Sequence, residues 1–315
     1  MKALLAKKWF GPLVALVVVY AIFLVLRPET FGRAATLLTM SQQTVVVAIA
    51  AVGATLVIVS GGIDLSVGSS VALTSVVVAK LLVRGHGPLV AALGGCLVAT
   101  LCGALGGALV ARLKMLPFIV TLGSMSILRG AAKGLANEQK IDAPARGLET
   151  LLQPATGSLR PPTGVFLAIA VAVLAALLLS STRFGRHVFA VGSNERTARL
   201  CGVPVERVKI GVYAIAGLLA GLAGVLEFSM LTVGDPTTAV GLELEVIAAV
   251  VIGGASLSGG EGSILGAMIG AFLMTVIKTG ATHMGLPNWV QEIVTGGIIL
   301  VASGLDRLRR GHATP

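Results

Sequence analysis

About ten apolar runs in this chain, several of them short, are candidates to cross a bilayer, and that feature leaves few folds open. They span about 10–26, 44–60, 66–83, 89–111, 116–136, 164–182, 209–230, 244–258, 263–282 and 288–305. A crossing helix needs roughly 20 mostly apolar residues. Inside lipid every backbone N–H and C=O must be satisfied within the segment or by a neighbour, which restricts spanning chains to helices and closed barrels. Continuous apolar runs without period-two alternation read as helices. Only 12% of the 315 residues are charged, about half the share of a soluble domain. Too few polar groups exist to cover a water-facing surface, so lipid must cover much of it. The fold class expected is all-α: a polytopic transmembrane helical bundle of about ten spans.

The charges set the orientation. The net charge of +10 would suggest nucleic acid in a soluble protein. Here no Lys/Arg run is interleaved with aromatics, so no nucleic-acid partner is expected, and membrane lipid is. With the N-terminus in the cytoplasm, the inner side collects Lys2, Lys7, Lys8, Arg112, Lys114, Arg183, Arg186, Arg196, Arg199, Arg207, Lys209, Arg307, Arg309 and Arg310. That is the positive-inside pattern, and it gives an N-in, C-in topology. The run after Lys8 resembles a signal peptide, but it is long for an h-region and no small-x-small site closes it. It reads as an uncleaved first helix. The whole of 1–315 is then a single transmembrane domain with a cytoplasmic loop at 183–208 and a longer external loop at 137–163.

Metal and redox chemistry find little support. Cys96 and Cys102 lie in one apolar run and Cys201 in a basic loop, without CxxC spacing; His86, His187, His283 and His312 share no ligand spacing. No bound cofactor or metal is expected.

Three features carry function. The first is Ser60-Gly61-Gly62-Ile63-Asp64-Leu65-Ser66-Val67-Gly68-Ser69. A carboxylate amid apolar spans is costly and marks a functional candidate. Asp64 also suits a helix cap near Leu65, and the two roles are compatible. The second is Gly253-Gly254-Ala255-Ser256-Leu257-Ser258. Like the first string it reads Gly-Gly-x-x-Leu-Ser after a Val/Ile-rich run, a candidate trace of an internal repeat. Polar groups beside these breaks or within apolar runs make Asp64, Ser66, Ser69, Ser124, Arg129 and Ser256 the candidate pathway residues. Glycines four apart, at Gly103/Gly107, Gly217/Gly221 and Gly266/Gly270, cut grooves suited to helix packing.

The third feature is the basic loop 182–204. Asn194 is a good N-cap and Glu195 suits a first turn. Gly202 can take the left-handed position past the end, and Pro204 stops continuation. A helix of two turns cannot stand alone, so it must dock. Ala198, Leu200 and Cys201 give it an apolar edge suited to a partner's groove, the other reading being that it packs on its own membrane domain.

Together these strings resemble the permease subunits of ribose/xylose-type ABC sugar importers, nearly end to end. The resemblance rests on 60–69, on Leu-Pro-Phe-Ile-Val-Thr-Leu-Gly at 116–123 followed by Arg129-Gly130, on 182–204, and on Ile-Ala-Ala-Val-Val-Ile-Gly-Gly at 247–254. The family loop usually reads Gly-Gly-Asn-x-x-Ala-Ala-x-x-Ser-Gly-Ile. This chain has Ser193, Thr197, Cys201 and Val203 at four of those places, small changes that put any particular ATPase pairing in doubt. The resemblance implies an inner-membrane translocation path for a monosaccharide. It also implies a second permease copy, a cytosolic ABC ATPase that uses ATP and Mg, and a periplasmic or extracellular solute-binding protein. Gly192, Asn194, Glu195, Ala198, Arg199 and Gly202 become the ATPase-coupling residues. No Gly-x-x-x-x-Gly-Lys-Ser/Thr phosphate loop occurs in the chain, so it is not expected to be an enzyme. The other reading is an ion-coupled secondary transporter, which would want more intramembrane charges than Asp64, Arg129, Glu227 and Lys278.

Overall fold

The computed structural model describes residues 9–153 and 160–311. Lys2, Lys7, Lys8 and part of the 137–163 loop lie outside the described residues. The elements are α1 (Phe10–Leu26), α2 (Pro28–Phe31), α3 (Ala34–Val59), α4 (Val67–Val83), α5 (Pro88–Arg112), α6 (Pro117–Leu135), α7 (Thr163–Ser181), α8 (Arg183–Ser193), α9 (Glu195–Leu200), α10 (Val205–Leu231), α11 (Leu242–Ile252), α12 (Ile264–His283) and α13 (Asn288–Gly311). A single antiparallel pair joins β1 (Ile141–Asp142) to β2 (Val233–Gly234).

The bundle is an all-α polytopic membrane fold. Among the described residues five helices, α3, α5, α7, α10 and α12, are long and apolar enough to cross a membrane, and α1, α4 and the first half of α13 are shorter apolar helices. The expected span at 244–258 is different. Helix α11 stops at Ile252 after 11 residues, about 16 Å at 1.5 Å per residue, too short to cross alone. The stretch before it lies beside α4 as the short strand Val233–Gly234 followed by turns up to Gly241: the Ser75 hydroxyl donates to the Val233 carbonyl, while the Ala239 carbonyl and the Glu243 carboxylate crowd Gly68 at the start of α4.

Helix α3 is buried without a gap from Thr44 to Val59, the pattern of a central helix that is apolar all round. Helix α5 is two-faced at a finer scale. Leu89, Leu93, Leu97, Leu101 and Leu105 form an exposed stripe at four-residue steps, the face left for lipid. The opposite face is small. Gly103 meets the Tyr213 carbonyl and Gly217 meets the Ala99 carbonyl so closely that any Cβ would overlap; a Cβ on Gly221 would stand 2.8 Å from Cys96 Cα. The two glycine pairs therefore interdigitate across the α5–α10 crossing. The third pair works the same way on α11: Gly266 packs on the Gly253 carbonyl and Gly270 on the Ala249 carbonyl.

An internal symmetry follows the candidate repeat. Helix α3 ends with Gly61 N–H on Ile58 O and Gly62 N–H on Val57 O, and α11 ends with Gly254 N–H on Val251 O and Ala255 N–H on Val250 O. The helices that come next, α4 and α12, both close in the same way at Gly85 and Gly285. A proline, Pro88 or Pro287, then precedes or opens the third helix. Helices α3–α4–α5 and α11–α12–α13 thus share one order of caps and breaks.

If backbone contact holds α5 on α10, Gly217→Val should overpack that crossing and cost about 1–3 kcal/mol. Gly130→Ala, at a helical position with open space around it, should be neutral or stabilising by up to about 1 kcal/mol. Thermal unfolding of the purified protein in detergent, followed by size-exclusion recovery, separates the two.

Candidate coupling site

The loop 182–204 folds as two helices with a sharp break between them. Thr182 caps α8 by accepting the Gly185 N–H at 3.1 Å. This helix was not anticipated, although Phe184, Val188 and Val191 at four- and three-residue steps carry its signal. Val188 and Val191 are buried and Arg183 and Arg186 exposed, so α8 lies with one face on the bundle. Asn194 is extended and breaks the run. Its Oδ1 accepts the Thr197 N–H at 3.0 Å, which caps α9. At the far end Gly202 adopts φ +81°. The Val203 N–H reaches back to the Ala198 carbonyl at 3.0 Å and the Gly202 N–H to Arg199 at 3.1 Å. This is a glycine C-cap of the Schellman kind.

Ion pairs fasten α9 to α10. Lys209 Nζ lies 2.6 Å from Glu195, Arg199 lies 3.3 Å from Glu195, and Arg199 lies 3.7 Å from Glu206. The Lys209 bond, with help from Arg199, holds the Glu195 carboxyl below the ordinary glutamate range. Glu195, Arg196, Arg199 and Leu200 line an open cleft on the outer surface of α9.

The apolar edge expected on α9 divides in two. Ala198 is 4% exposed and belongs to the chain's own core, whereas Leu200 is 88% exposed and Cys201 also faces out. The reason is helical geometry: residues two apart lie about 200° apart around the axis, so Ala198 and Leu200 cannot share a face. Leu200 is the apolar group on the outer surface, and Ala198 anchors the helix from beneath.

The candidate pathway residues do not converge on one point. Asp64 Oδ1 accepts the Ser66 N–H at 2.8 Å and the Ser66 hydroxyl at 2.6 Å, closing a turn just before α4 rather than capping the helix itself. The Ser69 hydroxyl is buried without a hydrogen-bond partner among the described residues. Ser124 is half-buried on α6. Ser256 is buried, and its hydroxyl accepts the Ser258 N–H at 3.3 Å. Arg129 stands apart from the breaks, with its guanidinium on the Pro236 and Thr238 carbonyls at 2.9 and 2.7 Å.

Sequence reasoning missed the segment that Arg129 holds. Asp235 Oδ1 accepts the Thr237 N–H at 2.8 Å and hydroxyl at 2.6 Å, the same turn that Asp64 makes with Ser66. Glu227 accepts from the Thr238 hydroxyl at 2.5 Å, and Lys140 pairs with Asp235 at 3.1 Å. The Thr237 and Lys140 contacts hold the Asp235 carboxyl below its ordinary range against the opposing effect of desolvation. The shared pattern Asp-x-Ser/Thr shortly after a glycine was the available signal. Among the described residues, no group of three or more His, Cys, Asp or Glu side chains could hold a metal ion.

With this geometry in place, comparison with known proteins decides the family. A family model described as branched-chain amino acid transport system / permease component matches residues 36–303. The chain belongs to this family. It is 39% identical over 304 residues to the ribose import permease protein of Escherichia coli K12, covering 95% of this chain and 93% of that one. It is 36% identical to the ribose import permease protein of Bacillus subtilis, covering 94% and 92%. It is also 36% identical to the fructose import permease protein of Rhizobium meliloti, covering 94% and 84%. No solved structure matches the chain. The permease is a multi-pass protein of the inner membrane, a translocation subunit and not itself the catalyst.

The anchoring of α9 has a definite pH dependence. A carboxyl lowered by a partner adds stability that is complete above its unfolded value and lost as pH falls through the lowered one. Amide protection at 197–203, corrected for intrinsic exchange, should therefore be flat from neutral pH down to the ordinary glutamate range. Glu195→Gln should weaken it at neutral pH by no more than about fivefold, the limit for an exposed, solvent-screened ion pair. Hydrogen–deuterium exchange measures both.

Proposed function

We propose that this permease forms the translocation path of an ATP-driven importer for a monosaccharide. ATP and Mg are used by a separate cytosolic ABC ATPase seated on α9. The observation that carries the reading is the construction of α9: two turns, capped at both ends, stapled to α10 by ion pairs, with Leu200 exposed beside Arg196 and Arg199. Such a rigid, charged-and-apolar stub suits a partner's groove. The substrate class rests on relatives named for ribose, fructose and D-allose import.

The path is built by two copies of the chain, each a single domain over 1–315, and a solute-binding protein delivers substrate from outside. Ten crossings with both ends inside fit the contacts. The turns at 60–62 and 253–262 and the α8–α9 loop gather at one end, which we assign to the cytoplasm. Loops near 85, 141–153 and 232–236 gather at the other, where Arg146 reaches the Gly85 carbonyl and β1 pairs with β2. The coupling loop is 183–208 and the external loop 137–163. Gly192, Asn194, Glu195, Ala198, Arg199 and Gly202 position the coupling helix. Asp64, Ser66, Ser69, Ser124 and Ser256 lie along the path, with Arg129 holding its outer strand.

Affinity purification of the full chain in mild detergent, together with the ATPase and binding protein expressed alongside it, tests this reading. An ATPase and a second permease copy should co-purify, and proteoliposomes should take up radiolabelled ribose only with ATP inside. Leu200→Arg should lose the ATPase and at least about tenfold of uptake while inserting normally, the scale of a lost interface anchor. Uptake by the permease alone under an ion gradient would replace the ABC reading with a secondary transporter.

A further inference from the structure

Three segments far apart in sequence touch backbone to backbone at the cytoplasmic end of the bundle. Helix α3 ends at Val59, and its carbonyl accepts the Gly260 N–H at 2.9 Å. That same carbonyl oxygen fills the place a side chain on Gly192 would take, and a Cβ there would also stand 2.7 Å from Gly260 N. A Cβ on Gly259 would stand 2.7 Å from the Gly192 carbonyl and 2.8 Å from Gly61 Cα; one on Gly260 would stand 2.9 Å from Ser193 Cα. Gly61, Gly259 and Gly260 have φ of +81°, +83° and +74°. Only glycine adopts these conformations freely while letting backbones approach so closely.

The three segments have distinct roles. Gly61 belongs to the break after α3, in the first half of the internal symmetry. Gly259 and Gly260 belong to the turn after α11, in the second half. Gly192 is in the last turn of α8, two residues before the Asn194 cap of α9. The two breaks that separate the membrane helices are thus joined to each other and to the base of the coupling helix.

We infer that Gly192, with Gly61, Gly259 and Gly260, is a positioning junction that makes one displacement of α9 move both helix breaks as a single body. The inference rests on the reading of α9 as the ATPase seat. An interface filled by side chains can absorb a displacement by changing rotamers. Backbone against backbone has no such slack, because a packed contact without voids transmits strain. The Gly260–Val59 hydrogen bond fixes the register of the two breaks, and Gly192 sits over that bond. A push at α9 therefore reaches α3–α4 and α11–α12 together, and two breaks moving in step is what a two-state change of access requires.

Close packing alone would make these glycines matter only for stability. The junction makes a further demand, that hydrolysis and uptake separate. The test uses the complete transporter, with its co-purified ATPase and binding protein, in proteoliposomes loaded with ATP. Gly260→Ala, whose Cβ would stand 2.9 Å from Ser193 Cα, should keep the ATPase bound and hydrolysis within about twofold of wild type, while ribose uptake falls roughly tenfold, a loss of the size expected from breaking a coupling contact. Gly123→Ala, with open space around its Cβ position, should change neither. Wild-type uptake in a well-assembled Gly260→Ala transporter overturns the proposal.

A crosslink decides the case where Gly260→Ala fails to assemble. Ser193 Cβ lies 3.1 Å from the Cβ position of Gly260, so a shift of a few tenths of an ångström brings the pair to the roughly 3.5–4.5 Å a disulfide spans. Ser193→Cys with Gly260→Cys, in a Cys201→Ser background, should form one. If the junction moves as one body, uptake by the same sample should be equal when oxidised and when reduced. Uptake that stops on oxidation and returns on reduction would show the segments sliding past each other, and the proposal fails. If wild type carries no ATPase at all, the reading of α9 fails instead, so the two failures are distinguishable.

Discussion

Helices in lipid gain nothing by hiding apolar side chains from one another, because the acyl chains offer the same surroundings. Dispersion contacts and shape remain, and both improve as backbones approach. The bundle depends on that constraint at every main crossing. Gly103 and Gly107 on α5 lock with Gly217 and Gly221 on α10, and Gly266 and Gly270 on α12 rest on α11 carbonyls. Gly103, Gly217, Gly266 and Gly270 meet the facing carbonyls directly, with no side chain between the axes. This explains why leucine is spent on the outer stripe of α5 and small residues on its inner face. The bulky groups face lipid, which adapts to them, and the small ones face protein, which does not.

The same constraint sets what sequence reading could recover. Long apolar runs and four-residue glycine spacing are local, so the helices and the packing role of the glycine pairs were legible. The caps of α9 at Asn194 and Gly202 were legible for the same reason, since a cap is decided within a few residues. The face that α9 shows to its own bundle was not. Ala198 and Leu200 are both apolar and near neighbours, and only the tertiary contact says which is anchor and which is exposed. The short length of α11 was hidden too. Residues 244–258 are hydrophobic enough to cross a membrane, but the helix begins only after the turns that end at Gly241 and stops at Ile252. Hydropathy records burial and is blind to whether the buried chain is helix or turn.

The junction at Gly192 was out of reach of any local rule. Its members, at 61, 192 and 259–260, meet only because α3, α8 and α11 end at the same level of the bundle. Gly61 and Gly259 could be flagged as parts of glycine-rich breaks, and Gly192 as part of a coupling loop. Nothing short of the fold says that they touch. A repeat whose halves each carry a break must keep those breaks in register if both are to serve one path. A shared hydrogen bond with no side chain in it is an economical way to hold that register.

Arg129 shows how a broken strand is tolerated inside such a bundle. The chain between β2 and α11 leaves its carbonyls outside any helix or sheet, and each one unsatisfied in lipid would cost several kcal/mol. Arg129 donates to two of them, at Pro236 and Thr238, Ser75 donates to Val233, and the Asp235 turn satisfies the Thr237 N–H. Both bonds come from one guanidinium nitrogen, Nη1, which bridges two acceptors two residues apart. The guanidinium, kept in a chain that has discarded most of its charge, holds the turn between β2 and α11 in place. On that account Arg129 is a positioning residue for the turn that packs against the head of α4, where the Ser69 hydroxyl is buried without a partner among the described residues.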